Sequence, residues 1–372
     1  MSRPIDELEI LGLISTQYAS ETHAPAGAVI DKSYLGALAL AHENGGFDRV
    51  LIGYHSAAPD GFQVAAYAAA RTTRLKFLLA HRPGFVAPTL AARQLATLDQ
   101  LSDGRLAVHV ITGGSDAEQA RDGDFLPKDD RYARTADYIT VLKKTWTRTT
   151  AFDHDGPYYR VRDALSAVKP AQQPHLPVFF GGASDAAIRV AGQHADVYAL
   201  FGETLDGVRE ALGRVRASAA EYGRENDIRF SLSLRPILGR TEDEAWARAA
   251  RILEEARALR EVGAPTFYRR ASNESTGSQR LRATAEGGAV RDKRLWTEIA
   301  KLTGAQGNST SLVGTPEQVV DALLDYYDLG ITKFLFRGFD PLEDAIDYGR
   351  HLLPKLRAAV AARPTPKAIA AA

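Results

Sequence analysis

The chain has no cysteine among its 372 residues. That excludes disulfides, thiolate nucleophiles and metal sites built on Cys ligands. It has no net charge either, because 46 Lys and Arg balance 46 Asp and Glu. The basic surplus that draws a protein to nucleic acid or to an anionic membrane surface is therefore missing. No window approaches 18 uninterrupted apolar residues, so no transmembrane helix is expected. The opening MSRPIDELE is charged where a secretory leader carries its apolar core. These absences lead us to expect a cytoplasmic protein.

Apolar residues make up 45% of the chain, enough for a large core. Short apolar runs alternate with longer amphipathic stretches. The strands expected are Leu8–Thr16, Arg49–Tyr54, Leu75–His81, Arg105–Thr112, Pro177–Gly182, Val197–Phe201, Arg229–Leu238 and Lys333–Gly338. Helices are expected over Lys32–Glu43, Gly61–Thr73, Pro88–Ser102, Arg131–Thr147, Ser184–Gly192, Leu205–Tyr222, Glu242–Glu261 and 342–362. Eight apolar strands, each followed by a helix, predict an α/β fold with a parallel sheet closed into a (β/α)8 TIM barrel. A doubly wound open sheet is the alternative, disfavoured because no GxGxxG follows the first strand. We expect a single barrel domain over 1–362 and a C-terminal tail over 363–372. Three stretches interrupt the alternation: Gly113–Asp130, Asp153–Gln173 and Pro265–Ser311. The last is the longest, and an insertion of about 265–311 after the seventh strand is expected to cover the barrel mouth.

Barrel active sites are assembled at the C-terminal ends of strands. There stand Thr16 and Gln17; Tyr54, His55 and Ser56; His81 and Arg82; His109 and Thr112; Gly181, Gly182 and Ser184; Arg235; and Arg337. This ring has three His and three Arg but no carboxylate. It lacks the carboxylate ligands and the H-x-H spacing of a metal hydrolase and the two carboxylates of a glycosidase, so no metal is expected. The strongest local element is PVFFGGASD, Pro177–Asp185. A strand ends there in two glycines, and Ser184 opens a helix whose free N–H groups suit a phosphate. An ordinary tight turn with a Ser cap would look the same. Asp130-Arg131-Tyr132, opening the next helix after the polar loop, is a second candidate.

Several segments in order also carry a resemblance. They are GFDRVLI (Gly46–Ile52), TRLKF (Thr73–Phe77), PTLAARQ (Pro88–Gln94), ATLDQLSDGR (Ala96–Arg105) and VITG (Val110–Gly113). Arg131-Tyr132, FDHDGPY (Phe152–Tyr158), QPHLPVFFGGASD (Gln173–Asp185) and VGTPEQV (Val313–Val319) follow. Together they resemble the luciferase-like flavin monooxygenases, above all the FMNH2-dependent alkanesulfonate monooxygenase branch.

The resemblance implies a barrel that binds FMN without a covalent link, receives it reduced from a separate NAD(P)H-dependent flavin reductase, and uses O2 to oxygenate a small organic molecule. It implies FMN contacts at His109, Thr112, Glu118, Arg131, Tyr132, Gly182 and Ser184, and a homodimer or homotetramer. The substrate pocket departs from the alkanesulfonate pattern. Gln17 stands where the branch has His, Ala58 where it has Cys, and Ser233-Leu-Arg235 where it has Arg-x-His. Gly338-Phe-Asp-Pro341 replaces Gly-Tyr-Pro-His, and an arginine near Ala305–Gln306 is missing. Two arginines, Arg235 and Arg337, nevertheless stand at strand ends, where guanidiniums suit an oxyanion such as a sulfonate, or pair with a carboxylate such as Asp340. We expect Gln17, Tyr54, Arg235 and Arg337 to line the substrate site, and His55 and His81 to move protons. The alternatives are an F420-dependent oxidoreductase of the same superfamily and a flavin-binding relative without catalysis.

Overall fold

The computed structural model describes residues 8–263, 275–306 and 309–363. Thirteen strands are formed among them: β1 (Glu9–Ile14), β2 (Arg49–Ile52), β3 (Lys76–His81), β4 (Leu106–Val110), β5 (Phe152–Asp155), β6 (Arg160–Ala164), β7 (Val178–Gly181), β8 (Val197–Phe201), β9 (Arg229–Leu238), β10 (Val290–Arg291), β11 (Leu295–Trp296), β12 (Ser311–Gly314) and β13 (Lys333–Phe336). One sheet runs β10-β11-β12-β9-β13-β1-β2-β3-β4-β7-β8, and β8 pairs again with β9. The eight strands expected from the sequence are the eight that close, so the fold is the α/β TIM barrel. Their residues are apolar on both faces because the strands are buried on both faces: Phe77, Leu78, Leu79 and Ala80 of β3 are all in the core.

The helices begin where short polar side chains can take up free N–H groups. Asp31 accepts from the N–H of Ser33 and Tyr34, Asp60 from Gln63, Ser184 from Ala187 and Thr241 from Glu244. Thr315 and Gln318 form a reciprocal capping box ahead of the helix Pro316–Asp328.

The described residues divide into two compact units: those within 8–50, 199–213 and 229–363 form one, and residues 51–198 and 214–228 the other. In the first, β1 pairs with β13 and β13 with β9, all parallel. β9 is ten residues long and changes partner along its length. Ser231–Leu234 pairs with β13, and Arg235–Leu238 with β12. In the second unit, β3, β4 and β7 form a parallel run.

The structure departs from the sequence reading in the connections. The polar stretch 113–130 contains a helix, Asp116–Arg121, and the next helix starts at Lys128, a turn before Arg131. The excursion 153–173 overlaps the β5–β6 hairpin, which has one charged, exposed face and one half-buried face of Phe152, His154, Val161 and Ala164. The stretch taken as a covering insertion, 265–311, contains the helices Thr276–Glu286 and Glu298–Thr303, adds β10 and β11 to the sheet, and ends where β12 begins. Residues 265–274 and 307–308 of that stretch, and 364–372 of the expected tail, lie outside the described residues. The expected closing helix is three pieces, Pro341–Asp347, a π-helical Tyr348–Leu352 and Leu353–Ala361. Among the described residues, no helix is long and apolar enough to cross a membrane.

Asp99, fully buried on the helix Pro88–Leu101, ties the end of the excursion to the barrel. Its carboxylate accepts from the N–H of Ala171 at 2.8 Å and Gln172 at 3.2 Å, from Gln172 Nε2 at 2.7 Å, and from the Leu106 N–H at 3.3 Å. Asp99→Ala leaves these donors unanswered and is expected to lower unfolding free energy by about 2–4 kcal/mol in urea titration, given about 1–3 kcal/mol for each orphaned buried group. A loss under about 1 kcal/mol would show that the excursion is held elsewhere.

Burial also keeps four imidazoles neutral. It lowers His42, His81 and His109 to about 4 and His194 to about 3, the last helped by Lys143 and Arg224. In the unfolded chain these groups titrate near 6.5. Between those values the unfolded chain binds more protons than the folded one, so stability falls as pH drops from about 6.5 towards 4. The expected dependence between about pH 6 and 4.5 corresponds to uptake of about four protons on unfolding. A slope of less than one proton would mean that these rings are solvated.

Candidate functional site

In the unit formed by 51–198 and 214–228, the turn after β7 brings together Tyr132, Gly182 and Ser184. Gly182 has φ +134°, a conformation reserved for glycine. A Cβ there would lie 2.8 Å from Ala187 Cβ and 2.9 Å from Tyr132 Oη. The Gly182 carbonyl accepts from Tyr198 Oη at 2.5 Å, which fixes the turn from β8. Ser184 caps the helix Asp185–His194 and also hydrogen-bonds the Tyr132 hydroxyl. Burial raises the Tyr132 phenol, and the Ser184 contact and the Arg131 charge only partly offset this, so it stays a neutral donor. Two hydroxyls and the start of a ten-residue helix thus meet at a glycine whose missing Cβ lets Ala187 and Tyr132 approach the backbone.

The remaining residues expected around FMN are distributed differently. His109 on β4 has its Nδ1 shielded from solvent with no hydrogen-bond partner. Thr112 is buried, its hydroxyl 3.3 Å from that of Thr135, and its carbonyl accepts from Gln119 Nε2 at 2.6 Å. Arg131 is turned to its own loop: Nη1 donates to the Leu126 carbonyl at 2.6 Å and Nη2 to Asp116 at 2.7 Å. Glu118 is likewise committed to protein groups. Its carboxylate accepts from Arg82 Nη2, 3.1 Å from each oxygen, and from the Ser56 N–H at 3.0 Å. Burial would raise this carboxyl, but the Ser56 N–H and the Arg82 guanidinium outweigh it and hold it low. The donors present therefore fit a phosphomonoester at Gly182–Ser184 and a ring acceptor or donor at His109. Arg131 and Glu118 shape the surrounding loop.

Of the two histidines expected to move protons, His81 is buried with Nε2 2.7 Å from Tyr138 Oη. Tyr138 donates its own proton to the Val86 carbonyl at 3.0 Å, so His81 must carry its proton on Nε2. His55 accepts the Ala57 N–H on Nδ1 at 3.1 Å, and its Nε2 lies 3.6 Å from Glu118. Tyr54 stands beside it, donating to Asp122 at 3.3 Å.

In the other unit, Arg235 and Arg337 meet a carboxylate that the strand-end survey did not contain. Glu21, in the loop after β1, is buried and lies 2.8 Å from Arg235 Nη1. Arg337 Nη2 donates to both its oxygens at 3.0 Å. Burial alone would raise Glu21; the two guanidiniums reverse that and keep it ionised. Arg235 has no exposed surface. It donates to the Gly338 carbonyl at 2.9 Å and stacks 3.4 Å above the Phe339 ring. Asp340, the carboxylate weighed from the sequence, pairs instead with His23 at 2.6 Å and Arg248 at 2.9 Å. Gln17 bonds within its own loop, to the carbonyls of Ala26 and Gly27. The signal that pointed to Glu21 was indirect: buried guanidiniums require a carboxylate, and only the fold identifies which one. Among the described residues, no group of three His, Cys, Asp or Glu side chains could hold a metal ion.

Solved structures share this architecture. A riboflavin lyase, RcaE, with modified FMN and substrate riboflavin is 21% identical, covering 97% of this chain and 93% of that one, with a TM-score of 0.78. DmoA from Hyphomicrobium sulfonivorans is 21% identical over 97% and 90%, with a TM-score of 0.75. EDTA monooxygenase, EmoA, from Chelativorans sp. BNC1 is 18% identical over 95% and 94%, with a TM-score of 0.76. At these identities the likeness carries the fold. The family model for luciferase-like monooxygenase matches residues 8–333, most of the chain. The chain therefore belongs to the luciferase-like monooxygenase family and is an oxidoreductase.

Proposed function

We propose that the chain is the oxygenase of a two-component cytoplasmic system. A separate NAD(P)H-dependent flavin reductase supplies reduced FMN, and the barrel uses it with O2 to oxygenate a small organic molecule. The observation that carries this reading is the convergence of Tyr132, Ser184 and the N-terminus of the helix 185–194 on the turn at Gly182.

Ser184, Tyr132 and the helix N–H groups would hold the phosphate, since a helix start offers both free donors and the positive end of its dipole. His109, with its unpartnered Nδ1, and Thr112 would face the ring end. Reduced FMN, when bound, supplies the electrons that make O2 reactive towards the substrate. The protein orients it and keeps water out. His81, neutral and fixed by Tyr138, would act as a positioned, uncharged ring. His55, with its proton directed to the Glu118 side, is the better placed of the two to pass a proton.

For the substrate, the organosulfonate reading asks more of the pocket than the sequence suggested. An alkanesulfonate or sulfosugar reaching Arg235 or Arg337 must compete with Glu21, which both already hold. If a sulfonate does bind there, Arg337→Ala raises its KM with little change in kcat, and an unaltered KM removes these arginines from substrate recognition.

The first test is an anaerobic titration with reduced FMN, alongside oxidised FMN and F420, followed by admission of O2 and measurement of its consumption with candidate substrates. Saturable binding of reduced FMN with substrate-dependent O2 uptake is expected. Preference for F420 would indicate an F420-dependent oxidoreductase on the same fold. Flavin binding without turnover of any substrate would indicate a non-catalytic relative. Ser184→Ala is expected to weaken FMN binding by about 1.5–3 kcal/mol, the range for a hydrogen bond to a charged group. Unchanged affinity would remove Ser184 from the phosphate seat.

A further inference from the structure

Arg82 follows β3 directly and is the most deeply enclosed cation of its unit that no expected role claims; its side chain is 2% exposed. One nitrogen, Nη2, is held by Glu118. Nη1 lies 3.9 Å from Asp122, beyond hydrogen bonding, and neither Nη1 nor Nε has a hydrogen-bond partner. Aromatic rings cover the guanidinium: Cζ sits 4.5 Å from the Tyr54 ring centre and 6.0 Å from that of Phe85, and these two rings are parallel within 3°. Beside it, Ser56 donates its N–H to the same Glu118 oxygen that Arg82 holds, while the Ser56 hydroxyl is shielded from solvent and also lacks a partner. Buried donors are satisfied in nearly all native structures. A cluster of them left open around one carboxylate points to an acceptor that arrives with a ligand.

The position of the cluster limits that ligand. β3, β4 and β7 are consecutive in the sheet. Arg82 at the end of β3 and the seat at Gly182 after β7 are therefore about two strand spacings apart, about 10 Å. His109, also with an open nitrogen, is on the strand between them. A molecule with a phosphate at one end and ring acceptors at the other spans this arrangement.

We propose that Arg82 and Ser56 select the reduced over the oxidised flavin, by donating to acceptor atoms of its pyrimidine ring. This rests on the FMN reading given above. Two-electron reduction leaves the flavin anionic at N1 near neutral pH and places added charge along that pyrimidine edge. A guanidinium shielded by aromatic rings interacts with such charge far more strongly than one in water, and charge near N1 is a means by which a protein tunes a flavin. Glu118 is then a positioning residue. It holds Nη2 by two equal contacts, and so fixes where Nη1 and Nε point. For an oxygenase fed by a separate reductase, this selectivity favours loading with the usable cofactor over the spent one.

The test compares Kd for reduced FMN, measured anaerobically, with Kd for oxidised FMN in the full-length protein and in Arg82→Met, Arg82→Lys and Ser56→Ala. The intact protein is expected to bind reduced FMN the more tightly. Arg82→Met should reduce that preference by about tenfold or more, which for a two-electron couple equals about 30 mV in the potential of the bound flavin. Arg82→Lys, which keeps the charge but not the planar donors, should fall between, and Ser56→Ala should lose a few-fold. Melting temperatures report whether each variant is folded; if Arg82→Met is not, the other two carry the comparison. Folded variants that keep the intact protein's preference within twofold overturn the assignment. An intact protein that binds neither form of FMN removes the FMN reading itself, a different result from binding that is indifferent to Arg82.

Discussion

A parallel strand buried on both faces has its backbone groups paired along its length and its side chains packed among apolar neighbours, so charge is pushed to its two ends. The ionic chemistry of this chain follows from that constraint. At the N-terminal ends, Glu9 of β1 lies 2.8 Å from Arg49 of β2 and 2.9 Å from Lys333 of β13. Both cations are satisfied by one carboxylate, and the cluster does what this end of a barrel usually does, which is to contribute to stability. At the C-terminal ends, the clusters are built from strand-end cations and carboxylates brought by loops: Glu21 to Arg235 and Arg337, Glu118 to Arg82.

Those two loop carboxylates serve different ends. Glu21 binds two guanidiniums, one of which is fully enclosed and stacked on Phe339, and the loop after β1 is anchored by that contact. Removing such a partner would strand buried charge, a far larger penalty than the pair's own net contribution. Glu118 holds a single guanidinium through a single nitrogen and leaves the rest of it open. In one arrangement the carboxylate is shared by two cations; in the other, two guanidinium nitrogens are left open.

The barrel was legible in the sequence because its strands are short, apolar and separated by helices with regular apolar spacing. β8 and β9, and the helix Glu242–Glu261, have the bounds the sequence suggested. β12 was not legible. Its four residues, Ser311–Gly314, end a stretch rich in polar residues, and only pairing with the far half of β9 makes them a strand. The β5–β6 hairpin hid because its strands are short and its half-buried face has only Phe152, Val161 and Ala164 as apolar residues. At the site, the Gly-Gly-Ala-Ser turn could be read directly because glycine and a capping serine have local causes. The contacts of Arg131 and Glu118 could not, because a long charged side chain reaches partners that sequence distance does not reveal: Glu118 meets groups 36 and 62 positions away.

β9 changes partner between Leu234, which faces Phe336, and Arg235, which faces Ser311. The segment between β9 and β13 is therefore sewn into the strand it follows, at the residue where the buried arginine begins. It cannot be exchanged as a detachable module. A graft that replaced β12 would leave the backbone of Arg235–Leu238 without its ladder and would loosen the base on which Arg235 stands. Any redesign of this segment has to keep the backbone of Ser311–Gly314 in place as the partner of Arg235–Leu238.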